Sequence, residues 1–172
     1  MKTLVTAPQI ETSVTELAQR ICQQEAGRPL TVIGILTGSI VFLSDLVRKI
    51  DMPLRVGVIQ TSSYQGTTRG ELKIQADMMP DIRGRDVLLV DDIFDTGHTL
   101  VKVMELLQEF SPSTIRSAVL LLKRGKQEVE YRPDYVGFEI PDEFVVGYGL
   151  DYDDTFRNLP FLAALGPKTL QA

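Results

Sequence analysis

Short hydrophobic runs without polar alternation recur along this chain, which is typical of strands buried on both faces of a sheet. Such runs predict strands at 30–36, 54–60, 87–90, 115–122 and 135–140. Between two of them, Thr61 to Glu71 carries few apolar residues and is predicted to form a mobile loop.

Other stretches have apolar residues at helical spacing. The capping-box pattern at 13–16 opens a predicted helix that continues to about Glu25. A second helix is predicted at 40–50, and a third from Leu100 through Phe110, before Ser111-Pro112. This alternation of strands and helices favours an α/β fold, with an open, mostly parallel sheet flanked by helices.

The turn after the strand at 87–90 carries the candidate chemistry. Asp91 and Asp92 follow that strand, and Asp95-Thr96-Gly97-His98-Thr99 leads into the next helix. Free N–H groups and the helix dipole at such a start favour an anion, and two threonine hydroxyls add donors. The pattern predicts a phosphate site, with Asp91 and Asp92 placed to hold sugar hydroxyls or Mg²⁺. A helix cap alone explains one carboxylate, but not three with a glycine and two threonines.

Composition narrows the class of protein. The 172 residues, 44% hydrophobic and 24% charged, predict a single globular domain. A net charge of −5 argues against broad nucleic-acid binding, and no apolar run has the length of a membrane span. The single cysteine, Cys22, and an N-terminus without a secretion signal favour the cytoplasm.

The stretch 91–99 resembles the phosphoribosyl pyrophosphate signature of type I phosphoribosyltransferases. It has an acidic pair, two further residues and then Asp-Thr-Gly-x-Thr, directly after a buried strand. Within that family, the chain is similar to the branch that acts on hypoxanthine and guanine. Five further segments resemble features of the family. They are 36–39 for its pyrophosphate loop, 62–64 with 70–71 for its mobile loop, 122–124 for its purine lysine, 141–152 for the segment that covers the base, and 156–157 for its final arginine. The resemblance covers nearly the whole chain, and it implies a small hood formed by about 1–12 and 141–172.

The resemblance implies a purine-salvage reaction, in which N9 of hypoxanthine or guanine displaces pyrophosphate from C1 of phosphoribosyl pyrophosphate. Asp91 and Asp92 would hold the ribose hydroxyls, and Asp95 would be the general base near N7 of the purine. Thr96, Gly97, His98 and Thr99 would bind the 5-phosphate. Mg²⁺ is the implied cofactor, and a homodimer or homotetramer is the implied assembly.

The remaining roles also follow from the resemblance. Lys123 would donate to the 6-oxo group, Phe144 would stack on the purine, and the backbone of Val145 would bind its edge. Asp151 would border the purine and hold a second Mg²⁺, with Asp91 and Asp92 as further metal candidates. Pyrophosphate would meet Thr37, Gly38, Ser39 and Arg157, under a mobile loop that includes Ser63 and Tyr64.

The chain departs from its relatives at three positions. His98 stands where many relatives have lysine, Asp91 where many have glutamate, and Thr37 where some have lysine. Two alternatives stay open: transfer to another base such as xanthine or uracil, or an RNA-binding attenuator of pyrimidine genes, which an acidic chain does not favour. The preference between hypoxanthine, guanine and xanthine does not follow from the sequence.

Overall fold

The computed structural model describes residues 1–63 and 72–166. In chain order, its helices and strands are β1 (Lys2–Val5), α1 (Ala7–Glu25), β2 (Leu30–Leu36), α2 (Ile40–Lys49), β3 (Leu54–Ser63), β4 (Leu72–Gln75), β5 (Asp86–Phe94), α3 (His98–Gln108), β6 (Thr114–Lys123), β7 (Tyr135–Ile140), β8 (Val145–Val146) and β9 (Leu162–Ala164).

The main sheet has the strand order β4-β3-β2-β5-β6-β7 in the described residues. All neighbours in it are parallel except β3 and β4, which pair antiparallel. The predicted open, mostly parallel sheet is therefore confirmed. The direction in which the chain adds strands to this sheet reverses between β2 and β5. The crevice at such a reversal is where open α/β sheets bind ligands.

Strand β5 is buried on both faces, as its uninterrupted apolar run predicts. Leu88 and Val90 pack in a core with the buried side chains of α1 and α2. Val87 and Leu89 lie in a second core, together with those of α3. The period-two alternation of a strand explains why successive residues enter different cores.

A second, smaller sheet joins the two ends of the described chain. Its strand order is β1-β9-β8, and both pairings are antiparallel. Val5, Val145 and Leu162 from these strands pack into the core shared by α1 and α2. This sheet confirms a small hood built from the N- and C-terminal segments.

Three predicted helix boundaries are wrong by two residues or more, among them the start of α3, which lies at His98 rather than Leu100. Helix α1 begins at Ala7 rather than Ser13, because the N–H of Thr6 donates to Oε1 of Gln9 at 2.9 Å and closes a capping box there. Helix α3 ends at Gln108, and Phe110, predicted as its last apolar position, is 42% exposed. No helix within residues 1–63 and 72–166 is long and apolar enough to cross a membrane.

Two predicted strand boundaries are also wrong. Strand β3 continues through Thr61 to Ser63, because β4 pairs with the stretch predicted to be a loop. Strand β5 continues to Phe94, because its register with β6 persists beyond the apolar run. Asp91 and Asp92 therefore lie on the strand itself.

Candidate active site

The carboxyl ends of β2 and β5 border a cavity of about 340 Å³. It gathers site residues predicted from three separate parts of the chain. Those that line it are Thr37, Gly38, Asp91, Asp92, Asp95, Thr96, Gly97, Thr99, Asp151 and Arg157. One space is therefore bordered by the pyrophosphate loop, the acidic pair, the loop 95–99 and the C-terminal arginine.

Asp91, which is buried, and Asp92, which is half-buried, form a carboxylate pair on β5. Asp91 is 8% exposed, and its Oδ1 accepts the N–H of Asp92 at 3.0 Å. Burial, together with the negative charge of Asp92, raises the pKa of Asp91 well above its usual range. Burial also raises the pKa of Asp92, although the Arg157 guanidinium opposes that shift. Two ionised carboxylates are costly here, unless a cation or hydroxyl donors meet them.

This pair predicts a pH-dependent gain in stability for Asp91→Asn. In the window between the usual carboxyl pKa and the raised pKa, the folded wild type holds a proton that the unfolded chain releases. The free energy of unfolding of the wild type therefore falls as pH rises through that window. Asp91→Asn has no carboxyl at this position, so its free energy of unfolding does not decrease in this way. We expect it to exceed that of the wild type by on the order of 1 kcal/mol near pH 8, with no difference below about pH 4.

Thermal unfolding of ligand-free protein in EDTA, measured across that pH range, checks this prediction. Asp77→Asn is the matched control, since Asp77 is exposed in a turn. A stability difference that does not change with pH, or that is equal in the two variants, would contradict a charge penalty at Asp91.

The loop 95–99 turns sharply into α3. Gly97 has a φ of 91°, and a Cβ at this position would lie 2.7 Å from Cζ of Phe94. Glycine is therefore required both by backbone conformation and by space. His98, the first residue of α3, points to the rim, where its Nε2 lies 2.8 Å from Oε2 of Glu128. The side chain of His98 is 54% exposed, and it is not among the residues that line the cavity.

Asp95 is the first residue of this loop. Its Oδ2 is 3.2 Å from Nζ of Lys123, the last residue of β6. Its Oδ1 is buried and has no hydrogen-bond partner in the described part of the chain. Nζ of Lys123 also lies 3.5 Å from Oδ1 of Asp142. Asp95 therefore brings to the cavity a carboxylate that has one unpaired, buried oxygen and lies beside a nearly buried ammonium.

Arg157, which also lines the cavity, is held by contacts within the C-terminal segment. Its Nη2 lies 2.9 Å from Oδ1 of Asp151, and its Nη1 donates to the carbonyl of Gly149 at 2.8 Å. Close packing continues into the pyrophosphate loop, since a Cβ on Gly149 would lie 2.2 Å from the carbonyl oxygen of Gly38. The chain thus places a guanidinium, a donor suited to phosphate, in the same cavity as the acidic pair.

Several predicted residues lie away from this cavity. Ser39 is fully buried, its hydroxyl donates to the carbonyl of Ile35 at 2.5 Å, and its own carbonyl accepts the N–H of Leu43 at 2.7 Å. Val145 pairs with Ala164 in the hood, and the Phe144 ring lies 5.5 Å from that of Tyr152, edge to face. The backbone of Ser63 ends β3, while Tyr64 lies outside the described residues.

Sequence reasoning missed the segment between β6 and β7. There the N–H of Glu128 donates to the carbonyl of Thr96 at 2.9 Å, and Nε2 of Gln127 lies 3.4 Å from the carbonyl of Asp95. The polar run after Lys123 was the available signal, but it carries no periodicity that predicts which loop it meets.

The donor set suits magnesium only in part. Among residues 1–63 and 72–166, no three His, Cys, Asp or Glu side chains converge on a point that could hold a metal ion. Mg²⁺, however, commonly uses one or two carboxylates, with substrate phosphates and waters completing its shell. Asp92 and Asp151, both lining the cavity, fit that requirement.

Fold and site together define a class of protein: a mostly parallel α/β sheet that presents a glycine turn at a helix start, an acidic pair and an arginine to one crevice. The sequence profile described as "Phosphoribosyl transferase domain" matches residues 1–153. The chain therefore belongs to the phosphoribosyltransferase family.

Similar proteins narrow the class further. The chain is 42% identical over 169 residues to a hypoxanthine-guanine phosphoribosyltransferase of Lactococcus lactis, which covers 97% of this chain and 92% of the relative. A crystal structure of a hypoxanthine phosphoribosyltransferase from Staphylococcus aureus matches with a TM-score of 0.93 and 39% identity, covering 98% of this chain and 93% of that one. A Trypanosoma cruzi hypoxanthine phosphoribosyltransferase, solved as a ternary substrates complex, matches with a TM-score of 0.92 and 37% identity, covering 99% and 97%.

Proposed function

We propose that this chain is a purine-salvage enzyme that transfers the 5-phosphoribosyl group of phosphoribosyl pyrophosphate to N9 of hypoxanthine or guanine. The products are IMP or GMP and pyrophosphate. The observation that carries the proposal is the cavity of about 340 Å³ that joins the loop 95–99, the acidic pair and Arg157. The similarity of the chain to a hypoxanthine-guanine phosphoribosyltransferase of Staphylococcus aureus, 41% identity over 96% of its residues, supports it.

The reaction forms a C1–N9 bond and breaks the bond from C1 to the pyrophosphate oxygen, with inversion. Positive charge develops on the ribose, and negative charge leaves with pyrophosphate. Asp91 and Asp92 hold the ribose 2- and 3-hydroxyls, which add donors to the backbone N–H groups that these carboxylates already accept. The loop 95–99 and the start of α3 bind the 5-phosphate through backbone N–H groups and threonine hydroxyls.

Asp95 acts as the general base. Its carboxylate accepts the proton of N7 as N9 attacks, a role that requires the group to be within hydrogen-bond reach of the purine, and Asp95 lines the cavity. Lys123 has three donors, of which one is hydrogen-bonded to Asp95, while Asp142 lies 3.5 Å from the same ammonium as an ion-pair partner. A remaining donor meets the 6-oxo group, while adenine would present its own donor there. Phe144 and Val145 cover and bind the base.

The leaving group is held in the same cavity. Arg157 grips pyrophosphate, with backbone N–H groups of Gly38 and Ser39 and with Thr37 beside them. When bound, Mg²⁺ supplies compensation for the charge that develops on the phosphate oxygens, held by Asp151 and by the acidic pair. Ser63 and Tyr64 keep their predicted place in the mobile loop, of which Tyr64 lies outside the described residues, and the chain works as a single domain in a homodimer or homotetramer.

Nucleotide formation from phosphoribosyl pyrophosphate and Mg²⁺, with hypoxanthine, guanine, xanthine, adenine and uracil in turn, tests this proposal. Product on hypoxanthine or guanine supports it. Product on uracil alone contradicts the purine assignment. No product on any base, combined with retention of pyrimidine-gene leader RNA in a filter assay, would favour the attenuator instead.

Base selection predicts the behaviour of Lys123→Met. Because the variant loses a charged donor to the 6-oxo group, we expect kcat/KM for hypoxanthine to fall by about 10- to 100-fold, while the low rate with adenine changes little. Lys126→Met is the matched control, since Nζ of Lys126 lies 3.3 Å from the same Asp142. Equal losses in the two variants, or equal losses on both bases, would remove Lys123 from base selection.

A further inference from the structure

The segment 147–157 carries Asp151 and Arg157 to the cavity through an unusual backbone. Gly147, Tyr148 and Gly149 have φ values of 98°, 50° and 102°. Two of these are glycines, for which the left-handed region is accessible, but Tyr148 has a full side chain there. A non-glycine residue persists in this conformation only where its surroundings hold it.

Tyr148 is held by helix α2. Its side chain is nearly buried, at 7% exposure, and its hydroxyl donates to Oδ2 of Asp45 at 2.5 Å. Burial, together with the Asp45 carboxylate, raises the pKa of Tyr148, so the hydroxyl stays a donor at all physiological pH. The other oxygen of Asp45 pairs with Arg48 on the same helix.

The Tyr148–Asp45 hydrogen bond is linked to Arg157 through the backbone of Gly149. The N–H of Gly149, next to Tyr148, donates to the carbonyl of Arg157 at 3.0 Å, and the Arg157 guanidinium donates back to the carbonyl of Gly149 at 2.8 Å. The N–H of Tyr148 donates to the carbonyl of Leu159 at 2.8 Å, beyond the arginine. The backbone on both sides of Tyr148 therefore fixes the return of the chain around Arg157.

The Tyr148–Asp45 hydrogen bond also connects the segment that carries Arg157 to helix α2, which follows the pyrophosphate loop. Helix α2 begins directly after Thr37, Gly38 and Ser39, and Asp45 lies one and a half turns into it. Gly149 packs against the carbonyl of Gly38, with no room for a Cβ between them. A shift of Tyr148 would therefore move Arg157 relative to the pyrophosphate loop.

We infer that Tyr148, through its hydroxyl bond to Asp45, is a positioning residue that sets Arg157 against the pyrophosphate loop. This inference rests on the proposed function and extends it, since Tyr148 touches no reacting atom. Its effect is confined to the pyrophosphate end of the site. The purine end, around Lys123 and Asp95, is held by different contacts.

Tyr148→Phe tests the inference, because it removes the hydroxyl and keeps the ring. We expect the Kd for pyrophosphate, measured by calorimetry with Mg²⁺, and the KM for phosphoribosyl pyrophosphate to rise about tenfold, with the KM for hypoxanthine unchanged. Asp45→Ala should give the same rise, and the double variant should add nothing to it. Tyr135→Phe is the matched control, since this buried tyrosine donates to Gln24, away from the cavity.

Unchanged pyrophosphate affinity in Tyr148→Phe, an equal loss in Tyr135→Phe, or an equal rise in the KM of both substrates would overturn the inference. Melting temperatures of all variants distinguish a displacement of Arg157 from a general loss of stability. If the wild type forms no nucleotide on any base, the proposed function fails by itself. The pyrophosphate titration then still decides: weaker binding in Tyr148→Phe supports the inference, and equal or absent binding refutes it.

Discussion

Asp95→Asn is expected to lower kcat by about 10²- to 10⁴-fold, the range typical for loss of a general base. The amide has the size of the carboxylate but cannot take up the proton of N7. Binding of phosphoribosyl pyrophosphate, which depends on other groups, should change little. Because forward and reverse reactions share one transition state, pyrophosphorolysis of IMP should fall by the same factor. Steady-state rates in both directions check this.

Asp142→Asn is a sharp control for this result. Asp142 and Asp95 both face Nζ of Lys123, at 3.5 Å and 3.2 Å. Each variant therefore removes one negative charge from the same ammonium, but only Asp95 lines the cavity. If both variants lost kcat equally, the effect would lie in the electrostatics of Lys123, and Asp95 would not be the base.

The parts of this site that could be predicted from sequence are local ones. A strand, a glycine turn and a helix start follow one another within 87–99, so their order alone places an anion site at the end of a buried strand. The two-faced burial of β5 could be predicted for the same reason, because an apolar run without alternation has no exposed face.

The parts that could not be predicted depend on partners distant in sequence. Strand β1 pairs with β9, and neither short strand has a hydrophobic pattern that identifies the other. The extension of β5 through Asp91 depends on its register with β6, which outweighs the poor strand preference of aspartate. The contact of Glu128 with His98 spans 30 residues, so no local signal predicts it.

Gly38→Ala should show how tightly the two walls of the cavity are packed. A Cβ on Gly38 would lie 1.8 Å from Oδ2 of Asp92, a distance that requires one of them to move. Asp92 cannot turn away freely, because its Oδ1 already accepts the N–H of Ile93 at 2.8 Å. We expect kcat/KM for phosphoribosyl pyrophosphate to fall about 100-fold, since displacements of about 1 Å at a reacting site have effects of this size.

Two further variants separate the clash from a general loss of stability. Gly34→Ala places a Cβ 2.5 Å from Cδ2 of Leu43 in the core, so it should lower the melting temperature without changing substrate affinity selectively. Gly166→Ala meets no atom within 4 Å and should change neither. A fall in activity of Gly38→Ala that only matched the stability loss of Gly34→Ala would contradict a specific clash.

The identity of the clashing group can be tested by a double-mutant cycle on pyrophosphate binding. In an Asp92→Ala background the oxygen that meets the new Cβ is absent, so adding Gly38→Ala should cost no further affinity. If the loss persisted in that background, the clash would lie on the other side of Gly38, where Gly149 packs against its carbonyl. Either the acidic pair or the segment that carries Arg157 would then be identified as the wall that fixes the pyrophosphate loop.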